Sequence, residues 1–396
     1  MGSIPITRST FSLFPVLNDS NPKEEPPAVR TPLDRVLDFL ESFWKSRKQS
    51  DGIYHRLIRW CRLGVIILNV SYLLALCLVL LLLEFYGERN LTLCLLLYLP
   101  PQGWLLPLAA LVPINLLIHP RWALVAPVSA LIVIGIYMDW QWRNWETPEG
   151  SSLVVMSNNV GQNNKQSMRP FMADVNPSIV VLQEAGRKGA FERDYPDWNV
   201  DAHGEFTLLS RHPILEVRPI NEALYEDQTV AVRFLIEWEN QKIAIYNTHF
   251  PSPRDQLKAL AGKPLALGLI GFGPLKEKRI AYHESWLARV ETADALAAIV
   301  SSDPLPSLLV GDLNFPNHGA GYHRASEHLT DCFEEKGRGF GFTFPGTSRN
   351  PLTGFGPWMR IDYIFCNSKW NTLKAVSEKD RTSQHRAISA SLELSP

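Results

Sequence analysis

Four short stretches downstream of Gly150 carry side chains suited to handling a cation or a phosphate. Glu184 closes the apolar run Ile179-Val180-Val181-Leu182-Gln183, where a carboxylate is costly unless it is paired, hydrated or bound to a cation. Taken alone, a solvated glutamate at a strand end is the commoner explanation. Gly311-Asp312-Leu313-Asn314 follows Ser307 to Val310; the glycine permits a tight backbone, and an acid and an amide two residues apart share one face. Asp312 has the chemistry to take a proton from water, and Asn314 to orient a phosphate oxygen, although an isolated tetrapeptide of this kind is also a turn signal. Asn247-Thr248-His249 and Gln384-His385 each add an imidazole, and a lone histidine is more often structural than catalytic. No Cys-x-x-Cys or Cys/His cluster offers a zinc site, and whether Cys332 and Cys366 pair is left open.

Side chains so far apart in sequence act together only if a rigid frame presents them. From Ser152 onward, short β-rich runs alternate with polar turns: Leu153 to Val160, Ile179 to Glu184, Phe206 to Ser210, Val230 to Trp238, Lys242 to His249, Ser307 to Val310, Ile361 to Cys366 and Ala387 to Leu394. This is the texture of a sheet-rich α/β domain over 151–396. Trp286, Val290, Ala293, Leu296 and Val300 recur at helical spacing, so a helix over 284–301 is predicted to cover one sheet face.

The front of the chain is different in kind. The formal net charge of −1 averages over two unlike halves, because the long apolar runs are concentrated before Asp139. Residues 1–30 are rich in Ser, Pro and Asn without an apolar period and are expected to be disordered. The segment 31–62 places Leu33, Val36, Leu37, Leu40, Phe43 and Trp44 on one helical face behind a capping-box-like start; its basic end suits an anionic membrane surface or plain packing on a neighbouring domain. Three spans are predicted within 63–138, at 63–85, 104–118 and 122–138, while Leu91 to Leu99 is too short to cross. Arg56, Arg59 and Arg62 flank the first span and place that end in the cytoplasm, so three spans carry the catalytic domain to the far side. Trp140, Trp142 and Trp145 in the linker 139–150 read as an interfacial aromatic belt or as an exposed linker. Downstream of Gly150 the Lys and Arg residues are scattered rather than massed, which argues against strong non-specific nucleic-acid binding.

In order along the chain, Ser157-Asn158-Asn159-Val160, Leu182-Gln183-Glu184, Leu209-Ser210-Arg211-His212-Pro213-Ile214, Asn247-Thr248-His249, Gly311-Asp312-Leu313-Asn314, Arg360-Ile361-Asp362-Tyr363 and His385-Arg386-Ala387 resemble the endonuclease/exonuclease/phosphatase family, the deoxyribonuclease-I-like group of phosphoesterases. The resemblance covers the region from about Ser152 to the end and none of the apolar part. It implies a two-sheet α/β/β/α sandwich and hydrolysis of phosphodiester or phosphomonoester bonds by metal-activated attack of water. It further implies Mg²⁺ or Mn²⁺ as cofactor, with Glu184 as the principal ligand and Asn159 nearby. By the same resemblance Asp312 orients and deprotonates water beside Asn314, His249 contacts the phosphate, His385 is held by Asp362, and Asn247 and Arg360 belong to substrate binding.

One position departs from the pattern. Many members have Asp just before the last histidine, where it helps hold metal, and this chain has Gln384, a weaker neutral ligand that leaves a second metal position open. The substrate reading favours a lipid or other phosphate ester near the membrane, with a membrane-tethered nuclease and a non-catalytic binding scaffold as alternatives; membrane lipids are the expected partners and no obligate protein partner is indicated. Finally, the insertion 251–283 is longer than a connection needs, and its apolar middle from Pro264 to Leu275 suits either packing on its own domain or a lid against the bilayer.

Overall fold

The computed structural model of the chain describes residue 38 and residues 52–161, 166–222, 224–225, 228–253, 275–347, 353–354, 356–379 and 381–395. The expected disorder of 1–30, nearly all of the amphipathic helix proposed near Leu33 to Trp44, and the apolar middle of the 251–283 insertion lie outside the described residues. The chain divides into two units, Met1–Cys61 and Arg62–Pro396, and the second holds the sandwich and all but the first residues of the apolar helices.

Among the described residues, three helical segments are long and apolar enough to cross a membrane: Tyr54–Tyr86, Pro101–Ile118 and Pro120–Tyr137. The first belongs to a continuous helix, Gly52–Tyr86. The other two are broken into shorter pieces where prolines remove backbone donors, with 3₁₀ turns at Pro101–Leu105 and Pro120–Leu124 and a π-helical stretch at Leu131–Tyr137. Leu91–Leu97 forms a helix of 7 residues, too short to span. Leu74, Leu81, Leu117 and Leu131 are exposed on the outer faces, as lipid-facing side chains would be. Inside the bundle, Asn69 and Asn115 exchange amide hydrogen bonds of 2.7 and 2.9 Å, a polar clasp between the first two segments.

Twelve strands then build two six-stranded sheets: β1 Leu153–Asn159, β2 Ile179–Gln183, β3 Asn199–His203, β4 Phe206–Ser210, β5 Ile214–Pro219, β6 Ala231–Trp238, β7 Gln241–His249, β8 Ser307–Asp312, β9 Thr330–Asp331, β10 Asp362–Cys366, β11 Trp370–Ser377 and β12 Ile388–Leu394. One sheet runs β11-β12-β1-β2-β4-β3 and the other β9-β10-β8-β7-β6-β5. Within each, one central pair is parallel, β1 with β2 and β7 with β8, and the remaining pairs are antiparallel. The predicted strands are present with ends displaced by a residue or two; β3, β5, β9 and β11 were not predicted.

Strand alternation sorts the core into layers. Val155, Val181, Ile245, Leu308, Val310 and Ile364 face between the sheets. Tyr246, Leu309 and Phe365 face outward beneath the helix Leu275–Ser302, which presents Trp286, Val290, Ala293, Leu296 and Val300 as predicted and extends further toward the N-terminus than the predicted 284–301. Met156, Val180, Leu182 and Leu209 are covered on the opposite side by Phe171, Met172 and Phe191 from two short helices. The result is the predicted α/β/β/α sandwich behind apolar helices.

Candidate active site

The same alternation that buries Leu308 and Val310 between the sheets directs Asp312 inward at the end of β8. Registry does the rest. His249 lies opposite Asp312 across the parallel β7–β8 pair, and Asp312 lies opposite Asp362 across β8–β10. Gly311 has φ 146°, and a Cβ there would collide with the carbonyl of Thr248, so glycine is what lets β8 approach β7 just before the aspartate. From the other sheet, Asn159 ends β1 and Glu184 follows β2. Glu184 and Asn314 adopt left-handed φ values of 51° and 53°, conformations that persist where the surroundings over-determine them and that cluster at functional sites.

Asn159 joins the two groups. Its Nδ2 donates to Glu184 Oε1 at 3.1 Å and to Asp312 Oδ2 at 3.0 Å, and its Oδ1 accepts from the Gly161 amide at 2.9 Å. Gly161 leaves the space that the Glu184 carboxylate fills, and that carboxylate, 34% exposed, borders an open cleft of about 460 Å³ shared with Gln166, Arg187 and Tyr195. His385 Nδ1 sits 3.1 Å from Asp362 Oδ2 and 3.7 Å from Asp312 Oδ2, with its ring against Phe344. His249 Nε2 is 3.8 Å from Asp312 Oδ2 and 4.0 Å from Glu184 Oε1, while its Nδ1 is 3.0 Å from Glu205 Oε1.

The electrostatics report a surplus of negative charge. Burial, then the neighbouring Asp362, push the Asp312 carboxyl up to about 6, against the opposing pull of the two histidines. Burial works against a charged imidazole at His249, yet the Glu205 hydrogen bond and the charges of Asp312, Glu205 and Glu184 prevail and raise it to about 9. His385 is likewise raised, by Asp362 and Asp312 in spite of burial. Ligand atoms of Asp312, Asp362 and His385 lie within 4.8 Å of one another. Hard oxygen donors crowded together with a surplus of negative charge match the preference of a divalent cation such as Mg²⁺, so the residues fit the metal that the sequence led us to expect.

Three predicted residues are placed differently from expectation. Asn247 lies on the inward face of β7 but one layer below His249, where its amide donates to the carbonyls of Leu182 and Thr207 and accepts from Gln183; it is fully buried and has no group turned to a substrate. Arg360 is 2% exposed and its guanidinium is ion-paired with Asp331 and with Asp139, so it ties the end of the third apolar segment to the sandwich rather than reaching the cleft. Asn314 spends its side-chain amide on the Phe250 carbonyl at 2.7 Å, linking the exits of β7 and β8. Gln384 precedes His385 in a loop where its backbone carbonyl accepts from Gly346. Cys332 and Cys366 are both free thiols, buried side by side away from the cleft.

Sequence reasoning missed two supporting groups. Glu205 sits in the β3–β4 turn and orients His249; only its acidity marks it in the sequence. Arg381 shares its Nε–H between both carboxylate oxygens of Glu378 at 2.9 Å and donates from another nitrogen to Asn158 Oδ1 at 2.8 Å and to the His385 carbonyl at 3.3 Å, bracing the loop that carries the last histidine. The i, i+3 spacing of Glu378 and Arg381 was its available signal.

The sequence model of the endonuclease/exonuclease/phosphatase family matches residues 157–385, from the strand of Asn159 to His385 itself. The chain belongs to this family. Members of the endonuclease/exonuclease/phosphatase family are hydrolases of phosphoester bonds and generally use divalent metals. Solved structures similar to the chain include a family protein from Bacteroides vulgatus (17% identity, TM-score 0.45, 62% of this chain and 100% of that one). Others are a humanized D. rerio TDP2 (15%, 0.44, 62% and 100%) and an AP endonuclease from Archaeoglobus fulgidus (15%, 0.41, 60% and 98%). A search among curated proteins returns no match.

The Glu205 contact yields a direct prediction. Replacing Glu205 with Gln removes one of the charges that raise His249 and leaves those of Asp312 and Glu184 against the burial that lowers it, so the imidazole of the metal-free protein should titrate below about 9. NMR of the ring protons reads this; an unshifted midpoint would mean that Glu205 does not orient His249.

Proposed function

We propose that the chain is a membrane-anchored, metal-dependent phosphoesterase that hydrolyses phosphate esters of lipid head groups. The observation that carries the membrane half of this reading is a contact: the loop leaving β8, which begins with Asp312 and Asn314, packs on the ends of the apolar helices. His318 Nδ1 is 2.5 Å from Glu84 and its ring stacks on Tyr137 at 4.3 Å, and Tyr98 Oη donates to the Asn314 carbonyl at 2.9 Å. A catalytic loop that touches the ends of the apolar helices supports a substrate held in the bilayer over one in bulk solution.

In the proposed chemistry each residue has one task. Glu184 holds the cation together with Asn159, with Gln384 as a weak further candidate. When bound, Mg²⁺ or Mn²⁺ supplies charge stabilisation to the phosphate and acidifies water. Asp312, whose carboxyl titrates near 6, is ionised at neutral pH and basic enough to accept a proton from water. His249 is protonated at that pH and donates toward a phosphate oxygen. Asp362 fixes the ring of His385, which stabilises charge in the transition state.

The topology supported by Arg56, Arg59 and Arg62 at the N-terminal end of the first helix has Arg62 on the cytoplasmic side and the catalytic domain across the membrane. Glu84 and Tyr137 both touch His318, so the far end of the first segment and the end of the third meet at the domain, as three crossings require.

Purified full-length protein should hydrolyse bis(p-nitrophenyl) phosphate only with Mg²⁺ or Mn²⁺, and Glu184→Ala, Asp312→Ala and His385→Ala should each reduce the rate by about 10²–10⁴-fold. Retention of near-wild-type rates by all three would refute the mechanism. Gln384→Asp should lower the Mg²⁺ concentration at half-maximal rate, because it adds a charged ligand; an unchanged requirement removes Gln384 from the site. For topology, an impermeant thiol reagent applied to intact cells should label a cysteine introduced at the exposed Leu215, and complete protection would put the domain in the cytoplasm.

A further inference from the structure

The hydrolytic residues leave unused a groove of about 670 Å³ at the same end of the sandwich. Its lining includes Trp140, Trp142, Phe340 and Phe342 with the cations Arg338 and Lys379; Glu378 also lines it, its carboxylate paired with Arg381. Two continuities and a charge indicate what it holds. On one side it opens at the bundle, since Trp140 follows shortly after Tyr137, the end of the third apolar segment, and Trp142 is 78% exposed. Trp140 meets Phe340 edge-on at 4.6 Å and Phe340 stacks on Phe342 at 5.0 Å, an unbroken aromatic wall. On the other side it reaches the catalytic loop: Phe344, two residues after Phe342, packs its ring 4.9 Å from that of His385, and Arg386, which also borders the groove, is the residue after His385. An aromatic wall beginning at a membrane exit, with cations on its rim, complements a molecule that is apolar at one end and anionic at the other.

We propose that this groove seats an anionic phospholipid of the surrounding bilayer, its chains along Trp140, Phe340 and Phe342 and its phosphate turned toward His385. The proposal rests on the phosphoesterase reading for its consequence, delivery of the phosphate to the site, and on the groove alone for binding. Substrate then enters from the membrane plane along the wall rather than through the open cleft beside Glu184.

The test uses the full-length protein in detergent and the double variant Trp142→Ser, Lys379→Glu, two exposed positions outside the hydrolytic machinery. Native mass spectrometry with phosphatidylglycerol or phosphatidylcholine as probe measures binding without reference to activity. The wild type should retain phosphatidylglycerol in preference to phosphatidylcholine, and the variant should bind phosphatidylglycerol about tenfold more weakly. Its melting temperature and its turnover of bis(p-nitrophenyl) phosphate should be unchanged. Equal retention of both lipids by the wild type, or undiminished binding by the variant, would overturn the proposal. Joint loss of lipid binding and melting temperature would also overturn it, because the groove would then be part of the fold. If the wild type cleaves no phosphate ester yet binds phosphatidylglycerol selectively, the phosphoesterase reading fails and the lipid seat stands.

Discussion

The side-chain amide of Asn159 donates at once to Glu184, on its own sheet, and to Asp312, on the other. Below it the inter-sheet layer is still polar, with Ser157, Gln183 and Asn247 bonded to one another and to backbone carbonyls; deeper still it becomes wholly apolar. Two sheets packed face to face are held by a non-directional force that tolerates sliding. The polar layer removes that freedom, because each buried amide has few positions in which all its hydrogen bonds are made. With the sheets fixed, His249, Asp312 and Asp362 are set by strand registry, and Glu184 and Asn159 by the ends of a parallel pair. The distances at the site therefore follow from the interior beneath it.

A second set of buried polar contacts links this frame to the apolar helices. Glu88 is buried just beyond the first segment, and its carboxylate accepts from the Ala320 amide at 2.7 Å at the start of the helix Ala320–His328. Burial raises its carboxyl, with Arg289 and the helix amides pulling the other way. Arg289 in turn donates to the Asn314 carbonyl, which also receives Tyr98. The apolar helices are thus hydrogen-bonded to the residue two places beyond Asp312. A simple tether would leave the catalytic loops alone; this arrangement makes the helices part of what holds them.

The strands were legible where both faces are buried, as in Ile179–Gln183 and Ser307–Asp312, because an uninterrupted β-branched and aliphatic run has few other uses. The strands that escaped are the edge strands β3, whose sequence is largely polar, and β5, where charged residues interrupt a partly exposed run, the two-residue β9, and β11, where polar residues interrupt the apolar ones. At the site, Glu184, His249, Asp312, Asp362 and His385 were legible as chemistry-bearing residues at strand ends. The depth of Asn247 was not legible because two residues along a strand share a face but differ in depth, and only the packed sandwich reveals which layer reaches the cleft. The pairing of Arg360 was not legible because its partners, Asp139 and Asp331, are remote in sequence. Glu205 lies in a turn whose approach to His249 depends on sheet packing that no local pattern encodes.

The account turns on the claim that Glu184, with Asn159 beside it, holds a divalent cation next to Asp312. Crystals of the full-length protein soaked in Mn²⁺ and measured at the manganese absorption edge test that claim directly. The expected result is an anomalous peak at ligand distance from the Glu184 carboxylate, lost in crystals of Glu184→Ala. A fully soaked crystal with no peak in the cleft, or with a peak unaffected by that substitution, would contradict it.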